Sequence, residues 1–462
     1  MFIISIFLVD IVPVYAEDAS FYEGEYIDNI YMNKYQYSTN TIYYQKARFF
    51  RKSDTGEFAY CIEPFNFFND YAPYESTINP NNLSSYQIDR ISKIAHFGYG
   101  YSNHTDSKWY AITQMMIWKT ADPNSGDYYF TDSLNGNRVD YYTGEMNEIE
   151  ALIANYEIIP SINNQTYTIV EDQELTINDT NQVLNNYHSN DLTINNNSIT
   201  INNLKEGEYN YNLSRQDNFY NKPLIFYQSY SSQNLVKTGD LNDINISFKI
   251  KVIKTKIDIT KIDKDNQSIT PRGDAFLDGA IYELYDQDMN KLKELTIKNN
   301  QAILNNILFG TYYLKELSPG KGYTLDNNTY EIIISEDHPN KELILENKVI
   351  EKEIIIDKEY GEDNNFNKEK NIDFDIINSK GDIVKTVTTN DYGIARFILP
   401  YGQYQIKQLN STKGYYKTGP IYLDVLDTET KKIELKDYKI PVPNTHTDNN
   451  FLFIIFMILL LC

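Results

Sequence analysis

The sequence predicts a multidomain protein in which an α+β head is followed by all-β sandwiches in tandem. The chain of 462 residues is too long for a single hydrophobic core. Helical patterns, with apolar residues at three-to-four spacing, occur only up to about residue 156. Beyond residue 160, short runs alternate β-branched and polar residues between Asn, Asp and Gly turn signals, which is typical of β-sandwiches.

The first residues predict export. An apolar run closes on Val-Tyr-Ala at residues 14–16, just before the acidic Glu17. A small-x-small pattern after such a run is typical of a secretory signal peptide, so we expect residues 1–16 to be removed. The alternative is that this run forms a first buried strand.

The charge balance excludes one class of partner. The chain carries 64 acidic and 42 basic side chains, a formal net charge of -22. Such a surface repels phosphates, so we expect no nucleic acid partner and no simple electrostatic docking to anionic lipid. We also expect no cofactor.

The head is predicted at residues 17–158. It contains strand-like runs such as "YIDNIYM" and "KARFFRK" and then three helical patterns. "SSYQIDRISKIAHFGYG" and "DSKWYAITQMMIWKTAD" begin with Ser or Asp, the preferred N-cap residues, and "GEMNEIEALIANYE" is amphipathic. The alternating strands after it predict a β-sandwich connector at 159–252.

An internal repeat follows the connector. "AFLDGAIYELYD" with "GTYYLKELSPGKGYTLD" aligns in outline with "NIDFDIINSKGD" and "GQYQIKQLNSTKGYYKTG". The repeat predicts two tandem copies of one sandwich, at 253–350 and 351–440. Tandem small β-domains form a stalk because each domain contacts mainly its neighbours.

The first copy resembles a known family. "IDITKIDKDN", "FLDGAIYELYD", "GTYYLKELSPGKGYTLD" and "LENKVI", in this order, resemble a CnaB (SpaA-like, prealbumin-type) domain of Gram-positive surface proteins and pili. The resemblance implies an isopeptide bond between Lys261 and Asn347, assisted by Glu316 as a buried acid. Burial suits this chemistry, because desolvation favours the neutral, nucleophilic amine and a protonated carboxyl. The alternative is a weak, exposed pair of Lys261 and Glu316.

The second copy departs from this pattern. Gln408 stands where the first copy has its acid, and an amide cannot serve as an acid. Lys358 is a possible lysine, with Asn or Asp candidates near Asp437, but no closing motif matches. We therefore expect this domain to be a family member kept for its fold, with a cross-link in doubt.

The C-terminal stretch "VPNTHTDNNFLFIIFMILLLC" resembles a sortase sorting signal. The resemblance implies cleavage after Thr445, within the pentapeptide that includes Pro443, and covalent transfer to cell-wall peptidoglycan. Val442 and His446 depart from the family pattern, and no basic tail follows the apolar run. This run, residues 451–462, is shorter than the roughly 20 residues of a membrane-spanning helix. Release or simple membrane tethering are the alternatives.

The cysteines pose a separate question. Cys61 has only Cys462, the last residue, as a possible disulfide partner, although an exported protein is in an oxidising environment. Cys61 could be a buried, inert hydrophobe, or the nucleophile of an exported cysteine enzyme with His96 or His104 as base. A metal site is disfavoured because the ligand spacing is absent, so we expect no metal.

A third explanation comes from what accompanies Cys61. "FAYCIEP" and, 53 positions later, "YAITQMMIW" resemble the paired signature of Gram-positive thioester domains. The resemblance implies that the Cys61 thiolate attacks the Gln114 carboxamide, ammonia leaves, and a buried thioester remains. A thioester needs shielding from water. The expected shield consists of Phe58, Tyr60, Met115, Ile117 and Trp118.

Together these resemblances predict a cell-wall-anchored adhesin. A lysine amine of a host or neighbouring-cell surface protein would attack the Gln114 carbonyl, Cys61 would leave, and an intermolecular amide would form. This is a single bond-forming event without turnover, so we expect no enzyme. The alternatives are a passive stalk or pilus component with a free Cys61 and an exported cysteine enzyme.

Overall fold

A computed structural model describes residues 18–442, apart from residues 79, 81 and 82. The described chain forms two compact units. The first contains the residues up to 250 except 168–173 and 203–207, and the second contains those two segments and the residues from 251 onward. The predicted signal peptide, Pro443 and Thr445 of the predicted sorting signal, and the C-terminal apolar run lie outside the described residues. Among the described helices, none is long and apolar enough to cross a membrane.

The head contains six strands and three helices before the predicted connector. They are β1 (Asp18–Gln36), β2 (Thr41–Lys52), β3 (Phe58–Cys61), β4 (Pro73–Thr77), α1 (Ser85–Phe97), α2 (Ser107–Ala121), β5 (Gly126–Thr131), β6 (Arg138–Val139) and α3 (Thr143–Glu157). The three predicted helices are thus present. Strands and one 3-10 turn make up the regular structure described beyond α3, which confirms the predicted α+β head followed by all-β domains.

Two of the helices begin at the predicted caps. The Ser84 hydroxyl accepts the backbone N–H of Gln87, and the Gln87 side chain accepts the backbone N–H of Ser84 in return. The Asp106 carboxylate accepts the N–H of Lys108 at the start of α2. These side chains satisfy amides that the first helical turn leaves unpaired. Every residue of α2 from 109 to 118 is buried, so α2 is the central helix of the head.

The connector region supplies eight more strands. They are β7 (Thr166–Val170), β8 (Leu175–Asn178), β9 (Ile194–Asn195), β10 (Ser198–Ile201), β11 (Gly207–Arg215), β12 (Ile225–Gln228), β13 (Leu235–Lys237) and β14 (Ile244–Ile253), with the 3-10 turn at Leu184–Asn186. β8, β10 and β9 form a small antiparallel sheet.

The structure corrects the boundary predicted at residue 158. The head sheet has the order β2-β3-β13-β12-β4-β1-β5-β6, and β1 also pairs with β2, so six strands close into a ring. β12 and β13 belong to this ring although they lie within the predicted connector. Leu235 of β13 stands opposite Cys61, and Phe226 of β12 stands opposite Thr77. Alternation predicts that a segment is a strand but not which distant strand it joins, so the sequence ended the head too early.

The two repeat copies have matching strand orders, except that the second copy contains one additional strand, β23. The first contains β15 (Lys256–Asp263), β16 (Ile281–Tyr285), β17 (Lys291–Thr296), β18 (Gln301–Asn305), β19 (Gly310–Ser318), β20 (Thr329–Ile334) and β21 (Asn340–Asn347). The second contains β22 (Glu351–Glu362), β23 (Asn365–Lys368), β24 (Asp373–Asn378), β25 (Ile383–Thr388), β26 (Ile394–Pro400), β27 (Gly402–Gln408), β28 (Ile421–Val425) and β29 (Lys431–Tyr438).

In each copy the first strand pairs in parallel with the last. β15 runs beside β21 and β22 runs beside β29, while the four-stranded sheets β17-β16-β19-β20 and β25-β24-β27-β28 have matching orders. Each copy has its own cluster of buried aliphatic and aromatic side chains, around Ile259 in the first and Ile356 in the second. The predicted tandem sandwiches are therefore both present.

Candidate functional site

Cys61 lies at the end of β3, inside the main core of the head. Its exposed fraction is 1%, and the preceding Ala59 and Tyr60 are fully buried. The strand has this position because "FAYC" is apolar throughout and has strands on both sides, β2 and β13. The thiol is therefore out of contact with bulk water, as a water-sensitive acyl group on sulfur would need to be.

Gln114 lies on α2 and contacts the backbone of Cys61. Its side-chain Nε2 donates to the Cys61 carbonyl at 2.7 Å, and its Oε1 accepts the Cys61 N–H at 2.8 Å. Both the oxygen and the nitrogen of the Gln114 carboxamide are therefore hydrogen-bonded to the backbone of Cys61. The Gln114 side chain is 3% exposed, and these two hydrogen bonds satisfy its polar atoms in the buried stretch of α2.

A different glutamine lies beside the sulfur. Gln233, just before β13, places Oε1 2.6 Å from the Sγ atom of Cys61. Gln233 is also buried, and its backbone carbonyl accepts a hydrogen bond from the Tyr74 hydroxyl. The next residue is held as well, because the Asn234 N–H donates to the Glu63 carboxylate. The carboxamide nearest to the thiol therefore comes from the segment between β12 and β13, held against β3 and β4.

Burial and charge act in opposite directions on the thiol. Burial raises the pKa of Cys61 to about 11, while the nearby Lys34 ammonium and the Trp118 side chain favour the thiolate. Burial also lowers the pKa of Lys34, and its ammonium lies 5.0 Å from the centre of the Trp118 ring. Lys34 donates to the Pro64 carbonyl. The site thus contains one amine whose charged form is disfavoured by the same desolvation.

A cavity of about 490 Å³ leads to the two glutamines. Gln114 and Gln233 both line it, together with Lys34 and Trp118, whereas Cys61 is not among its lining residues. Phe67, also on the cavity wall, is 85% exposed. A molecule that enters the cavity therefore lies next to both glutamine residues.

Comparison with known families assigns these domains. The family model described as a thioester domain matches residues 58–243, which include Cys61, Gln114 and Gln233. The model described as a SpaA prealbumin-like fold domain matches residues 255–349 and 359–439. The chain therefore contains a thioester domain followed by two SpaA prealbumin-like fold domains. The matched thioester domain extends through β13, in agreement with the ring of six strands.

Individual relatives are more distant. The trypsin-resistant surface T6 protein of Streptococcus pyogenes serotype M6 is 37% identical over 121 residues, which are 24% of this chain, and the match spans 21% of that protein's length. The Bacillus anthracis TIE protein is 16% identical, with 92% of this chain and 84% of that chain covered and a TM-score of 0.37. The thioester domain of the Staphylococcus aureus TIE protein is 18% identical, with 51% and 99% covered and a TM-score of 0.39. At these TM-scores the structural likenesses add nothing to the family assignment.

The sequence prediction for the thioester domain paired Cys61 with Gln114. The structure brings Gln114 to the backbone of Cys61 and Gln233 to its sulfur. The sequence analysis did not single out Gln233, which lies 172 positions from Cys61. The signal that could have found it is "SQNLVKTG", a glutamine just before a short apolar strand.

In the first SpaA domain, the structure brings together the three predicted residues Lys261, Glu316 and Asn347, here called the first centre. The Lys261 Nζ lies 3.2 Å from Glu316 Oε1, and Asn347 Nδ2 donates to Glu316 Oε2 at 2.7 Å. All three side chains are buried, which excludes the alternative of an exposed surface pair. Burial lowers the pKa of Lys261, although the Glu316 carboxylate opposes that shift.

Two further features of the first centre bear on its chemistry. The Tyr282 hydroxyl donates to Glu316 Oε1 at 2.9 Å and also contacts Lys261 Nζ. The Oδ1 atom of Asn347 is buried and accepts no hydrogen bond from the described residues. A carboxyl between an amine and a carboxamide can carry protons from one to the other.

The histidines considered as bases for Cys61 are engaged elsewhere. His104 Nδ1 contacts the Phe97 carbonyl at 2.7 Å, and its ring stacks on Trp109. His96 Nδ1 lies 2.9 Å from the Gly239 carbonyl. These contacts do not support the exported cysteine enzyme.

One cluster in the thioester domain has a ligand set that could hold a metal ion. Ligand atoms of His96, Asp217 and Asp240 lie within 4.8 Å of one another. Both carboxylates accept backbone amides, from Leu241 for Asp217 and from Tyr220 and Lys222 for Asp240. The cluster therefore ties together the loops around β12 and β13.

Proposed function

We propose that this protein is an exported surface adhesin that attaches covalently to amines of a target through a thioester between Cys61 and Gln233. The observation that carries the proposal is the 2.6 Å approach of Cys61 Sγ to Gln233 Oε1 inside a domain of the thioester family. The two SpaA domains form the stalk that presents the reactive head.

Formation of the thioester begins at the Cys61 sulfur. The Cys61 thiolate attacks the carboxamide carbon of Gln233, a C–S bond forms, the C–N bond breaks, and ammonia leaves with the thiol proton. An amine from the target then attacks the same carbonyl carbon and expels Cys61 as the thiol. The product is an amide between the target and Gln233, and the head does not return to its starting state. This is one bond per molecule and not enzymatic turnover.

Gln114 has a positioning role in this proposal. Its carboxamide holds both the N–H and the C=O of Cys61, which fixes the sulfur in front of Gln233. An acyl transfer depends strongly on such alignment of the reacting atoms. The pairing predicted from the sequence, Cys61 with Gln114, would require this carboxamide to give up both hydrogen bonds.

The cavity supports an amine target. It opens onto the glutamine side of the site and has the side chain of Lys34 on its wall. Because burial lowers the pKa of Lys34, the same environment favours the neutral form of an incoming lysine amine. We propose a lysine of a host or neighbouring-cell surface protein as the target.

We further propose an isopeptide bond at the first centre and attachment to the cell wall. Lys261 Nζ would attack the Asn347 carboxamide, with Glu316 carrying protons as ammonia leaves. Anchoring would follow sortase cleavage after Thr445 and transfer to peptidoglycan. The resemblance of the C-terminal stretch supports this anchoring step, and the family assignment supports a surface location.

Mass spectrometry of the full chain tests the thioester. The expected result is a pair of peptides joined through Cys61 and Gln233 that is lighter by one ammonia. Methylamine should add to Gln233 and free Cys61 for maleimide. Cys61→Ala and Gln233→Ala should abolish the methylamine adduct, whereas Gln114→Ala should reduce thioester formation and leave any adduct on Gln233.

Each contrary result has a specific meaning. An adduct on Gln114 would show that the sequence-based pairing is correct. A full-mass protein with a thiol at Cys61 that maleimide labels without methylamine would reject the covalent adhesin in favour of a passive stalk.

A further inference from the structure

We propose that the second SpaA domain carries its own covalent cross-link, an amide between Lys358 and Asp437, and that Glu369 is the proton-transfer residue that forms it. These three residues are called the second centre. Gln408 stands where the first domain has its acid, so the sequence alone does not predict such a bond. The structure supplies an acid from a different part of the domain.

Strand register places the reacting pair in matching positions of the two domains. In the first domain, Lys261 stands opposite Leu345 and the acceptor Asn347 lies two residues further along β21. In the second domain, Lys358 stands opposite Leu435 and Asp437 lies two residues further along β29. The Nζ atom of Lys358 contacts Asp437 Oδ1 directly. The amine and the acyl group are thus arranged as in the first centre.

Two polar groups of the first centre are replaced in the second domain. Tyr282 and Glu316 face each other on β16 and β19, and the corresponding pair on β24 and β27 is Phe374 and Gln408. Gln408 Nε2 donates to Asp437 Oδ2 at 2.6 Å. The amide thus polarises the acceptor carboxyl but has no acidic proton to transfer.

Glu369 lies between β23 and β24 and approaches the lysine. Its Oε2 is 3.6 Å from Lys358 Nζ and accepts no hydrogen bond from the described residues. Its Oε1 accepts the Thr412 N–H at 2.8 Å, which holds the carboxyl in place. The exposed fractions of Lys358, Glu369 and Asp437 are 0%, 0% and 1%.

The charges of the second centre favour the reaction. One amine and two carboxyl groups are buried together in this centre, and a buried ion pair carries a large desolvation cost in a sandwich core. Formation of the amide removes the charges of Lys358 and Asp437. The reaction therefore replaces a buried ion pair with a neutral amide.

Atoms and protons balance without a further reactant. Lys358 Nζ attacks Asp437 Cγ, the C–N bond forms, and one C–O bond of the carboxyl breaks. The ammonium gives up two protons, both of which end on the departing oxygen as water, and Glu369 relays them and is regenerated. Thr418 donates to Asp437 Oδ1 from its backbone N–H at 3.0 Å and from its hydroxyl at 2.9 Å, which stabilises charge on that oxygen.

The product differs in mass from that of the first centre. A Lys–Asp bond loses one water, whereas the proposed Lys–Asn bond and the thioester each lose one ammonia. Protease digestion of the full chain followed by high-resolution tandem mass spectrometry should yield a branched peptide that joins Lys358 to Asp437 and lacks one water. Two separate linear peptides in the wild type would overturn the proposal.

Variants then test the role of Glu369. Glu369→Gln should lower the cross-linked fraction, with a rate loss of roughly 100-fold if Glu369 acts in proton transfer. Adding Gln408→Glu to this variant returns an acid to the position of Glu316 and should restore the cross-link, which a purely structural role of Glu369 would not predict. Glu316→Gln is the matched control, because it should abolish the ammonia loss at the first centre and leave the water loss unchanged.

Two outcomes would reject Glu369 as the relay. One is a Glu369→Gln variant that cross-links as fast as the wild type. If Glu369→Gln does not accumulate as folded protein, Glu369→Leu also removes the carboxyl, and an unchanged cross-linking rate in that variant would be the other.

Discussion

Replacement of Lys261 by Met removes the amine of the proposed isopeptide bond and keeps an apolar chain of similar length. Glu316 retains its hydrogen bonds from Tyr282, Asn347 and the N–H of Asp326, so the centre remains connected. Lys264→Met, at an exposed position just beyond the same strand, is the matched control. We expect Lys261→Met to change the mechanical behaviour of the first SpaA domain and Lys264→Met to leave it unchanged.

The magnitude follows from the position of the bond. Lys261 and Asn347 are 86 positions apart and lie on the two strands that pair in parallel, β15 and β21. An extended chain spans about 3.4 Å per residue, so the bond withholds about 300 Å of chain from extension. In the chain-entropy model, closing a loop of this size also stabilises the domain by about 4.6 kcal/mol at 25 °C.

Single-molecule pulling on the full chain measures this length. The contour length released by Lys261→Met should exceed that of the wild type by about 300 Å, less the short span across the bond itself. Intact mass of the same samples reports whether the ammonia was lost. Equal contour lengths for the wild type and a folded Lys261→Met variant would contradict the proposed isopeptide bond, as would a wild type that retains the ammonia.

Three further predictions concern the thioester domain. After methylamine has opened the thioester, the rate of Cys61 alkylation should rise about tenfold per pH unit between pH 8 and 10, because burial raises the thiol pKa to about 11. A rate that reaches a plateau near pH 9 would contradict this prediction. Burial raises the pKa of Glu57, but hydrogen bonds from Lys222 and Lys237 outweigh burial and lower this pKa to about 2. The contribution of the ionised Glu57 to the stability of the domain should therefore be present above about pH 4.5 and be lost as the pH falls toward 2. Hydrogen exchange at β13 should follow this change in the wild type and not in Glu57→Gln. Gly98→Ala would place a Cβ 2.1 Å from the Thr113 hydroxyl oxygen, so it should destabilise the domain by about 1–3 kcal/mol in thermal unfolding. Gly144→Ala is the control and should leave the stability unchanged, because no atom lies within 4 Å of the added Cβ.

Local patterns were sufficient for much of this architecture. The caps at Ser84 and Asp106, the apolar strand that contains Cys61, and the repeat of two sandwiches are all properties of short segments. The residues of the first centre could also be named from the sequence, because Lys261 and Asn347 occur in motifs of fixed order. Helix periodicity, strand alternation and motif order each depend on neighbours along the chain, and the sequence contains that information directly.

Long-range pairing decided the rest. Gln233 reaches Cys61 only because β12 and β13 return to the head and close the ring of strands, and a pattern of alternating residues does not specify such a distant partner. Glu369 likewise compensates for Gln408 from outside the aligned motif, through a contact with Lys358 that exists only in the folded domain. Local patterns in the sequence specify which elements form and name the three residues that meet at the first centre. The tertiary structure decided which carboxamide meets the sulfur and which acid meets the second lysine, because those contacts depend on how distant strands are brought together.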